Sequence, residues 1–250
     1  MKYDPQLYGV NPDEGLVAVE HIECRDKRDR MALYFRRGEE VERREEDFSP
    51  FIVCDSSLVT GSPDPFNSMK LQGAGALNLL TSFQSWKEFL RARDRLAKLS
   101  GTPAGSPLAR YVCLPDPVQQ HLTSTGRTLF KGMVFEDLRR IQVDIECITT
   151  RGYEFCNAER EGDRIIAIAI GTSDGRVEVL SGARMDEEAL LREFVKTVVQ
   201  MDPDIIEGHN IFNFDLLYIA ERARKCRVKL SIGRDGSVPR FRPSRFNIAE

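Results

Sequence analysis

Ile141-Gln142-Val143-Asp144-Ile145-Glu146-Cys147 alternates apolar and polar residues along its length. Because successive side chains of a β-strand point to opposite faces, this pattern predicts a strand with Asp144 and Glu146 on one face, two positions apart. Two carboxylates at about 4 Å repel each other by roughly 4 kcal/mol at an effective dielectric of 20. A site that gathers them needs a cation or protons to offset that repulsion. The stretch therefore predicts a metal-holding strand.

The residues around this strand predict the order β-β-β-α-β-α for the second half of the chain. Asp186 is expected to cap a helix whose apolar residues repeat at helical spacing and which ends before Pro203. After the short apolar pair Ile205-Ile206, Gly208-His209-Asn210 leads into a second helix that carries Asp215 in its first turn. The other predicted strands are 164–171 and 177–180.

This order places Asp144 and Glu146 on the first, central strand and Asp215 at the start of a helix that can face them. Three carboxylates at one sheet edge favour hard divalent cations such as Mg²⁺ or Mn²⁺, which take oxygen ligands. Two such ions about 3.5–4 Å apart can activate a water molecule and stabilise the leaving oxygen in phosphodiester hydrolysis. The pattern therefore indicates phosphoryl transfer to water.

The first half of the chain predicts a small antiparallel sheet covered by one helix. Strand-like runs occur at 16–24, 31–35 and 51–54, and 111–114 is expected to return to the same domain. Ser85 and Glu88 form a capping-box pattern ahead of a helical stripe that ends before Gly101. We place the domain boundary near residue 132.

Composition is that of an ordinary globular protein. The 250 residues are 41% hydrophobic, and no run approaches the ~20 apolar residues of a membrane span. Six cysteines without a C-x-x-C pair argue against a disulfide framework or a structural zinc site, so we expect reduced, mostly buried thiols in a cytoplasmic protein. The N-terminus begins no signal peptide.

Net charge gives little sign of a nucleic-acid partner. The formal charge is −3, whereas nucleic-acid-binding domains usually carry a basic footprint. A late stretch is rich in basic residues: Arg222, Arg224, Lys225, Arg227, Lys229, Arg234, Arg240, Arg242 and Arg245. Taken by itself, this stretch is better explained by a solvated helix face followed by an exposed loop, so it is supporting evidence only.

Two motifs together carry a family resemblance. Asp144-Ile145-Glu146 matches the D-x-E of the first exonuclease motif of family B DNA polymerases, and the stretch 210–215 (Asn-Ile-Phe-Asn-Phe-Asp) matches the N-x-x-x-F-D of the second. The lead-in at 129–140 resembles that of bacterial members, and the first half resembles the family's N-terminal domain. The chain thus resembles the N-terminal part of a family B DNA polymerase over nearly its whole length.

The resemblance implies a fold class that combines α/β and α+β parts. Residues 1–132 would form the small antiparallel-sheet N-terminal domain. Residues 133–250 would form an RNase H-like (DnaQ-like) 3′→5′ proofreading exonuclease domain, truncated before its third motif. The implied partners are DNA, as a single-stranded 3′ end and a template strand, and the remainder of the polymerase chain.

The resemblance also implies residue roles. Asp144 would bridge two metal ions, Mg²⁺ or Mn²⁺, with Glu146 on the ion that activates water and Asp215 on the other. Asn210 and Phe214 would position the 3′-terminal nucleotides. In many members a threonine follows the D-x-E pair; Cys147 stands there, so it is left out of the site.

The departures from the family pattern leave two functions open. The family's third exonuclease motif is Y-x-x-x-D, and no tyrosine of this chain has an aspartate four positions on. The polymerase motifs are also absent, so we interpret the chain as a piece of a larger polymerase or a truncated relative. It is then either a proofreading exonuclease region or an inactive module that binds single-stranded DNA or acts as a scaffold. A stand-alone ribonuclease is a weaker third reading.

Simpler roles exist for single residues. Asp215 by itself is typical of a helix cap. The D-x-E pair alone would also suit the solvent face of an edge strand. His209 suits a hydrogen-bonding role in a loop better than metal ligation, and one of Phe212 and Phe214 is expected in the core.

Overall fold

The computed structural model describes residues 9–25, 28–59, 67–73 and 75–241. The end of the basic stretch, Arg242 and Arg245, lies outside these ranges. The chain divides into two compact units, Met1–Met133 and Val134–Glu250. Within the described ranges, no helix has the length and apolar character that crossing a membrane requires.

The first unit contains two sheets. A three-stranded antiparallel sheet has the order β1-β2-β3, and a four-stranded antiparallel sheet has the order β5-β6-β4-β7. Its strands are β1 (Leu16–Ile22), β2 (Arg30–Arg37), β3 (Glu40–Asp47), β4 (Phe51–Cys54), β5 (Asn67–Lys70), β6 (Leu79–Ser82) and β7 (Tyr111–Val112). The prediction of one sheet was wrong, because β4 pairs with β6 and β7 rather than with β1 or β2.

Two helices complete this unit, α1 (Trp86–Ser100) and α2 (Pro117–Thr125). The Ser85 side chain accepts a hydrogen bond from the Glu88 N–H, as the capping-box pattern predicts, and Gly101 ends the helix in the left-handed conformation. The fully buried ring of Phe89 on α1 packs with Ile52 and Tyr111 of the four-stranded sheet. The helix therefore covers the second sheet.

The second unit follows the predicted order β-β-β-α-β-α. Its elements are β8 (Arg140–Cys147), β9 (Ile165–Thr172), β10 (Val177–Ser181), α3 (Glu187–Met201), β11 (Ile205–Glu207) and α4 (Asp215–Lys225). The sheet order is β10-β9-β8-β11, with β11 parallel to β8 and the other pairs antiparallel. Strand β8 is central, as predicted.

One face of this sheet is packed and the other is open. Apolar residues of β8 and β9, such as Val143 and Ile168, join Leu190 and Phe194 of α3 and Ile219 of α4 in one buried cluster. The predicted cap of α3 is confirmed, since the Asp186 side chain accepts from the Ala189 N–H at 2.8 Å. The helices thus cover the apolar face of the sheet and leave the polar face of β8 to solvent.

All six cysteines are free thiols, but the prediction that most are buried was wrong. Only Cys54 is buried, and the other five are partly exposed. Cys24, Cys113 and Cys156 lie in loops, where the chain is more exposed than inside a strand or helix.

Candidate active site

Strand β8 presents its carboxylates on the open face. Asp144 and Glu146 are exposed, whereas the alternating residues Val143 and Ile145 are at most 7% exposed. Neither carboxylate makes a hydrogen bond or an ion pair with any residue in the described ranges. The alternation predicted from the sequence therefore places two uncompensated charges side by side on one face.

The neighbouring strand leaves room above these carboxylates. In the antiparallel register, Ala169 lies opposite Asp144 and Ala167 lies opposite Glu146. Residues directly opposite each other in adjacent strands share a face. Since both partners end at Cβ, the surface beside the carboxylates is shallow and can admit a ligand.

The second motif begins where the chain crosses β8 closely. A Cβ on Gly208 would lie 2.5 Å from the carbonyl oxygen of Val143, which only glycine avoids. Asn210 follows with φ of 53°, a left-handed conformation that asparagine tolerates. The side chain of Ile211, 4% exposed, then enters the core. The sequence Gly208 to Ile211 thus turns the chain back toward β8.

This turn delivers Asp215 to the free edge of β8. Strand β11 pairs with β8 only as far as Gln142, so later N–H groups on that edge lack a strand partner. The Asp215 carboxylate accepts a hydrogen bond of 3.2 Å from the N–H of Ile145, the residue between Asp144 and Glu146. Asp215 is the first residue of α4 and only 3% exposed. The two motifs are therefore joined by a direct bond.

The environment of Asp215 makes its carboxyl group harder to ionise than that of a free aspartate. Burial raises the pKa of the Asp215 carboxyl, and the charge of nearby Asp144 acts in the same direction. The N–H of Ile145 and the charge of His209 oppose this shift but do not cancel it. The site thus carries more negative charge than its protein surroundings balance.

The three carboxylates offer only oxygen atoms as ligands, and hard divalent cations prefer oxygen ligands. However, within the described residues no group of three or more His, Cys, Asp or Glu side chains is placed to hold a metal ion. Like charges separate when nothing between them compensates the repulsion. The carboxylates are therefore adjacent but not gathered into a closed cluster.

The other predicted residues lie at the surface. Asn210 is exposed, and its side-chain oxygen accepts from the Asn213 amide at 3.0 Å. The expectation that Phe212 or Phe214 enters the core was wrong: their exposed fractions are 74% and 36%, because Ile211 fills that place. His209 is exposed and makes no hydrogen bond in the described part of the chain, so its predicted hydrogen-bonding role was also wrong.

Sequence reasoning missed a groove of about 420 Å³ beside the second motif. One wall comes from the turn that leads into α4, with Asn213 and Phe214, and the other from the loop that joins β8 to β9, with Phe155. The Phe155 ring is 74% exposed. The sequence signal that could have indicated this groove is an aromatic residue, Phe155, in the loop after the first motif.

The late basic stretch does not form one free cationic surface. Arg222 is buried against Glu187 at 2.5 Å. Arg234 contacts two aspartates, Asp202 and Asp204, at 2.6 and 2.7 Å. The reading of this stretch as support for DNA binding is therefore weakened, because several of its charges stabilise the fold.

Comparisons with known proteins agree with this arrangement. Residues 121–249 match the model of the DNA polymerase family B exonuclease domain. A DNA polymerase of Archaeoglobus fulgidus is 37% identical over 116 residues, which is 46% of this chain and 14% of the relative. DNA polymerase 1 of Pyrococcus abyssi is 33% identical over 131 residues, covering 49% of this chain and 16% of the relative.

A solved structure shares the fold. The family B DNA polymerase from the hyperthermophilic archaeon Pyrobaculum calidifontis superposes with a TM-score of 0.58 at 20% identity, covering 91% of this chain and 34% of that one. The relatives named here are archaeal, so they give no support to the bacterial subgroup that the lead-in to the first motif suggested.

Fold and site define a mixed α/β domain that presents an acidic motif on its central strand and a third carboxylate at a helix start. The chain belongs to DNA polymerase family B, and its residues 121–249 carry that family's exonuclease domain. The resemblance read from the sequence, including its mixed fold class, is thereby confirmed. The matched stretches cover 14% and 16% of the length of the two relatives, so this chain corresponds to only part of them.

Proposed function

We propose that this chain is the proofreading region of a family B DNA polymerase, which hydrolyses the 3′-terminal phosphodiester of DNA. Residues 133–250 would act as the exonuclease domain and residues 1–132 as the polymerase's N-terminal domain. The observation that carries the proposal is the 3.2 Å bond from the Ile145 N–H to Asp215. It supports a site in which both motifs act together on one substrate.

In this proposal Asp144, Glu146 and Asp215 hold two divalent ions, Mg²⁺ or Mn²⁺. Their oxygens fit such ions by chemistry, and two of the carboxylates have no competing partner in the described part of the chain. When bound, the ions supply a polarised water and neutralise charge on the phosphate. The carboxylates themselves would hold the ions and orient that water.

Substrate binding is assigned to Asn210 and Phe214. Phe214 is partly exposed at the groove, so its ring can contact a terminal base, and the exposed Asn210 can donate hydrogen bonds to the terminal nucleotide. The partners we propose are a single-stranded 3′ end, a template strand and the remainder of the polymerase chain. Six free thiols suit a reducing cytoplasm.

The test is stepwise shortening of a 5′-labelled single-stranded DNA in Mn²⁺. We expect Asp144→Asn to lower the rate by about 10³-fold, since a catalytic metal site contributes several kcal/mol to the barrier. Gln142→Ala is the matched control, because Gln142 lies on the same exposed face two positions away. Equal rates for Asp144→Asn and the unmodified chain would overturn the proposal.

A second candidate is a DNA-holding module without hydrolytic activity. It is favoured by the lack, in the described residues, of a group of three metal-binding side chains. It predicts salt-dependent binding of single-stranded DNA that survives Asp144→Asn, since phosphate contacts release counterions. Binding without shortening, in a chain that melts cooperatively, would favour this candidate.

A further inference from the structure

The loop that joins β8 to β9 (residues 148–164, the connecting loop) is organised around one buried carboxylate. The Asp163 side chain is fully buried and accepts hydrogen bonds from the N–H and hydroxyl of Thr150, the N–H of Asn157 and the guanidinium of Arg160. These donors come from the start, the middle and the end of the loop. The loop is therefore one folded unit that moves, if at all, as a whole.

Helix α4 holds this loop through two buried side chains. The Tyr218 hydroxyl donates to the carbonyl oxygen of Asp163 at 3.0 Å. Arg222, one turn further along, donates to the carbonyl oxygens of Ala158 and Arg160 at 3.2 and 3.0 Å. Burial raises the pKa of the Tyr218 hydroxyl above that of a free tyrosine, which favours its role as a hydrogen-bond donor.

Arg222 is itself fixed by Glu187 at the start of α3. Its Nε and Nη2 donate to the two oxygens of Glu187 at 2.8 and 2.5 Å, a bidentate pair of fixed geometry. Glu187 also accepts from the N–H of Ile165, where the connecting loop enters β9. The position of the loop relative to α4 is thus set by directed bonds at two points.

These bonds determine the shape of the groove beside the second motif. Its walls belong to the two segments that the bonds join. Phe155 and Asn157 lie in the connecting loop, and Asn213, Phe214 and Leu217 lie in the turn before α4 and its first turn. Tyr218 also forms part of the lining, and its ring packs against Phe214 at 5.4 Å. A shift of the loop would therefore change the distance between Phe155 and Phe214.

We propose that Tyr218 and Arg222 are positioning residues that fix the connecting loop to α4 and thereby set the groove that receives the 3′-terminal nucleotides. The proposal rests on the proposed exonuclease function for its substrate. Neither side chain would touch the reacting atoms. Their loss should weaken substrate binding more than the chemical step, because the carboxylates lie on β8 and at the first residue of α4.

The experiment measures KM and kcat separately for removal of 3′ nucleotides from single-stranded DNA in Mn²⁺. Tyr218→Phe removes one hydroxyl and keeps the ring, so the chain should still fold. Tyr111→Phe is the matched control: its buried hydroxyl also donates to one carbonyl, that of Thr102 at 3.0 Å, but in the first unit. We expect Tyr218→Phe to raise KM about fivefold with kcat within twofold, and Tyr111→Phe to change neither.

A second measurement follows the loop directly. Arg151 in the connecting loop is an exposed trypsin site, and release of the loop should speed cleavage there several-fold in Tyr218→Phe. The KM of Arg222→Lys should lie between those of the unmodified chain and Arg222→Met. Lysine keeps the positive charge but cannot make the two parallel hydrogen bonds of the guanidinium group. Graded KM values with faster cleavage support the proposal.

Two failures are distinguishable. If the unmodified chain shortens DNA but KM stays unchanged in Tyr218→Phe, the positioning role is overturned while the exonuclease function stands. If the unmodified chain does not shorten DNA, the exonuclease function fails and the substrate-positioning role falls with it. An unchanged cleavage rate at Arg151 would overturn the attachment itself.

Discussion

Two groups of carboxylates in the second unit differ in exposure and in hydrogen bonding. Asp163 is buried and the Glu187 side chain is only 9% exposed, and each accepts three or more hydrogen bonds from loops, strands or helices. Asp144 and Glu146 are exposed and make no hydrogen bond or ion pair in the described ranges. The first pair stabilises the fold, whereas the second makes no contact of this kind in the described ranges and is the pair that we propose holds a metal ion.

Asp215 lies between these two groups. It is buried like the structural carboxylates, yet it has a raised pKa and faces the open pair. Its backbone partner is the residue between the two open carboxylates. One carboxylate thus connects the fold to the site.

The largest effect expected from this comparison is on stability and comes from the buried pair. Arg222→Met leaves the Glu187 carboxylate buried without its main partner, and breaking such a pair costs about 3–5 kcal/mol. Chemical denaturation monitored by circular dichroism measures it. A loss below about 1 kcal/mol would mean that Glu187 is not a structural carboxylate.

In the first unit, the buried His121 gives a pH-dependent contribution to stability. Burial lowers the pKa of His121 to about 4, and the charge of Arg127 adds to this. The unfolded chain binds the proton near pH 6.5, so stability is complete above that pH and falls as pH drops toward 4. We expect a loss of about 2 kcal/mol between pH 7 and pH 5, measured by urea denaturation. His121→Gln should flatten this slope, and an unchanged slope would contradict the assignment.

The close crossing at Gly208 gives an intermediate effect. Gly208→Ala would place a methyl group 2.5 Å from the Val143 carbonyl oxygen, and such overpacking costs about 1–3 kcal/mol. Gly75→Ala is the control, since no described atom lies within 4 Å of its Cβ position. Thermal melts of the two variants measure the difference. Equal melting temperatures would show that the crossing is not tight.

The smallest effect is expected from the open pair. Asp144→Asn and Glu146→Gln should change the free energy of unfolding by no more than about 0.5 kcal/mol, because exposed residues without partners contribute little. Denaturation beside Gln142→Ala checks this. A loss as large as that of Arg222→Met would place these carboxylates in the structural group and remove the distinction between the two.

The sequence predicted those features that depend on local pattern. The alternation in β8, the cap at Asp186 and the placement of Asp215 in the first turn of α4 all follow from neighbours in the chain. Strand β3 was missed because its charged residues occupy both faces and only Val41 is apolar. Its strand conformation comes from the eight-residue register with β2, a tertiary partner.

The site was predictable in its residues but not in its surroundings. That Asp215 meets Ile145 depends on how far β11 extends along β8, which no motif encodes. The choice of Ile211 over Phe212 and Phe214 as the buried residue depends on the left-handed turn at Asn210. The groove at Phe155 depends on Asp163, whose four donors are dispersed over the loop.

Mn²⁺ binding, measured by calorimetric titration, tests most directly whether Asp144 and Glu146 form a metal site. The unmodified chain, Asp144→Asn and Gln142→Ala are compared at one pH. If the open carboxylates are a metal site, Asp144→Asn should weaken Mn²⁺ binding at least tenfold, about 1.4 kcal/mol. Its melting temperature should stay unchanged, and Gln142→Ala should bind Mn²⁺ as tightly as the unmodified chain. Equal Mn²⁺ affinity in Asp144→Asn and the unmodified chain would show that these carboxylates do not bind the metal.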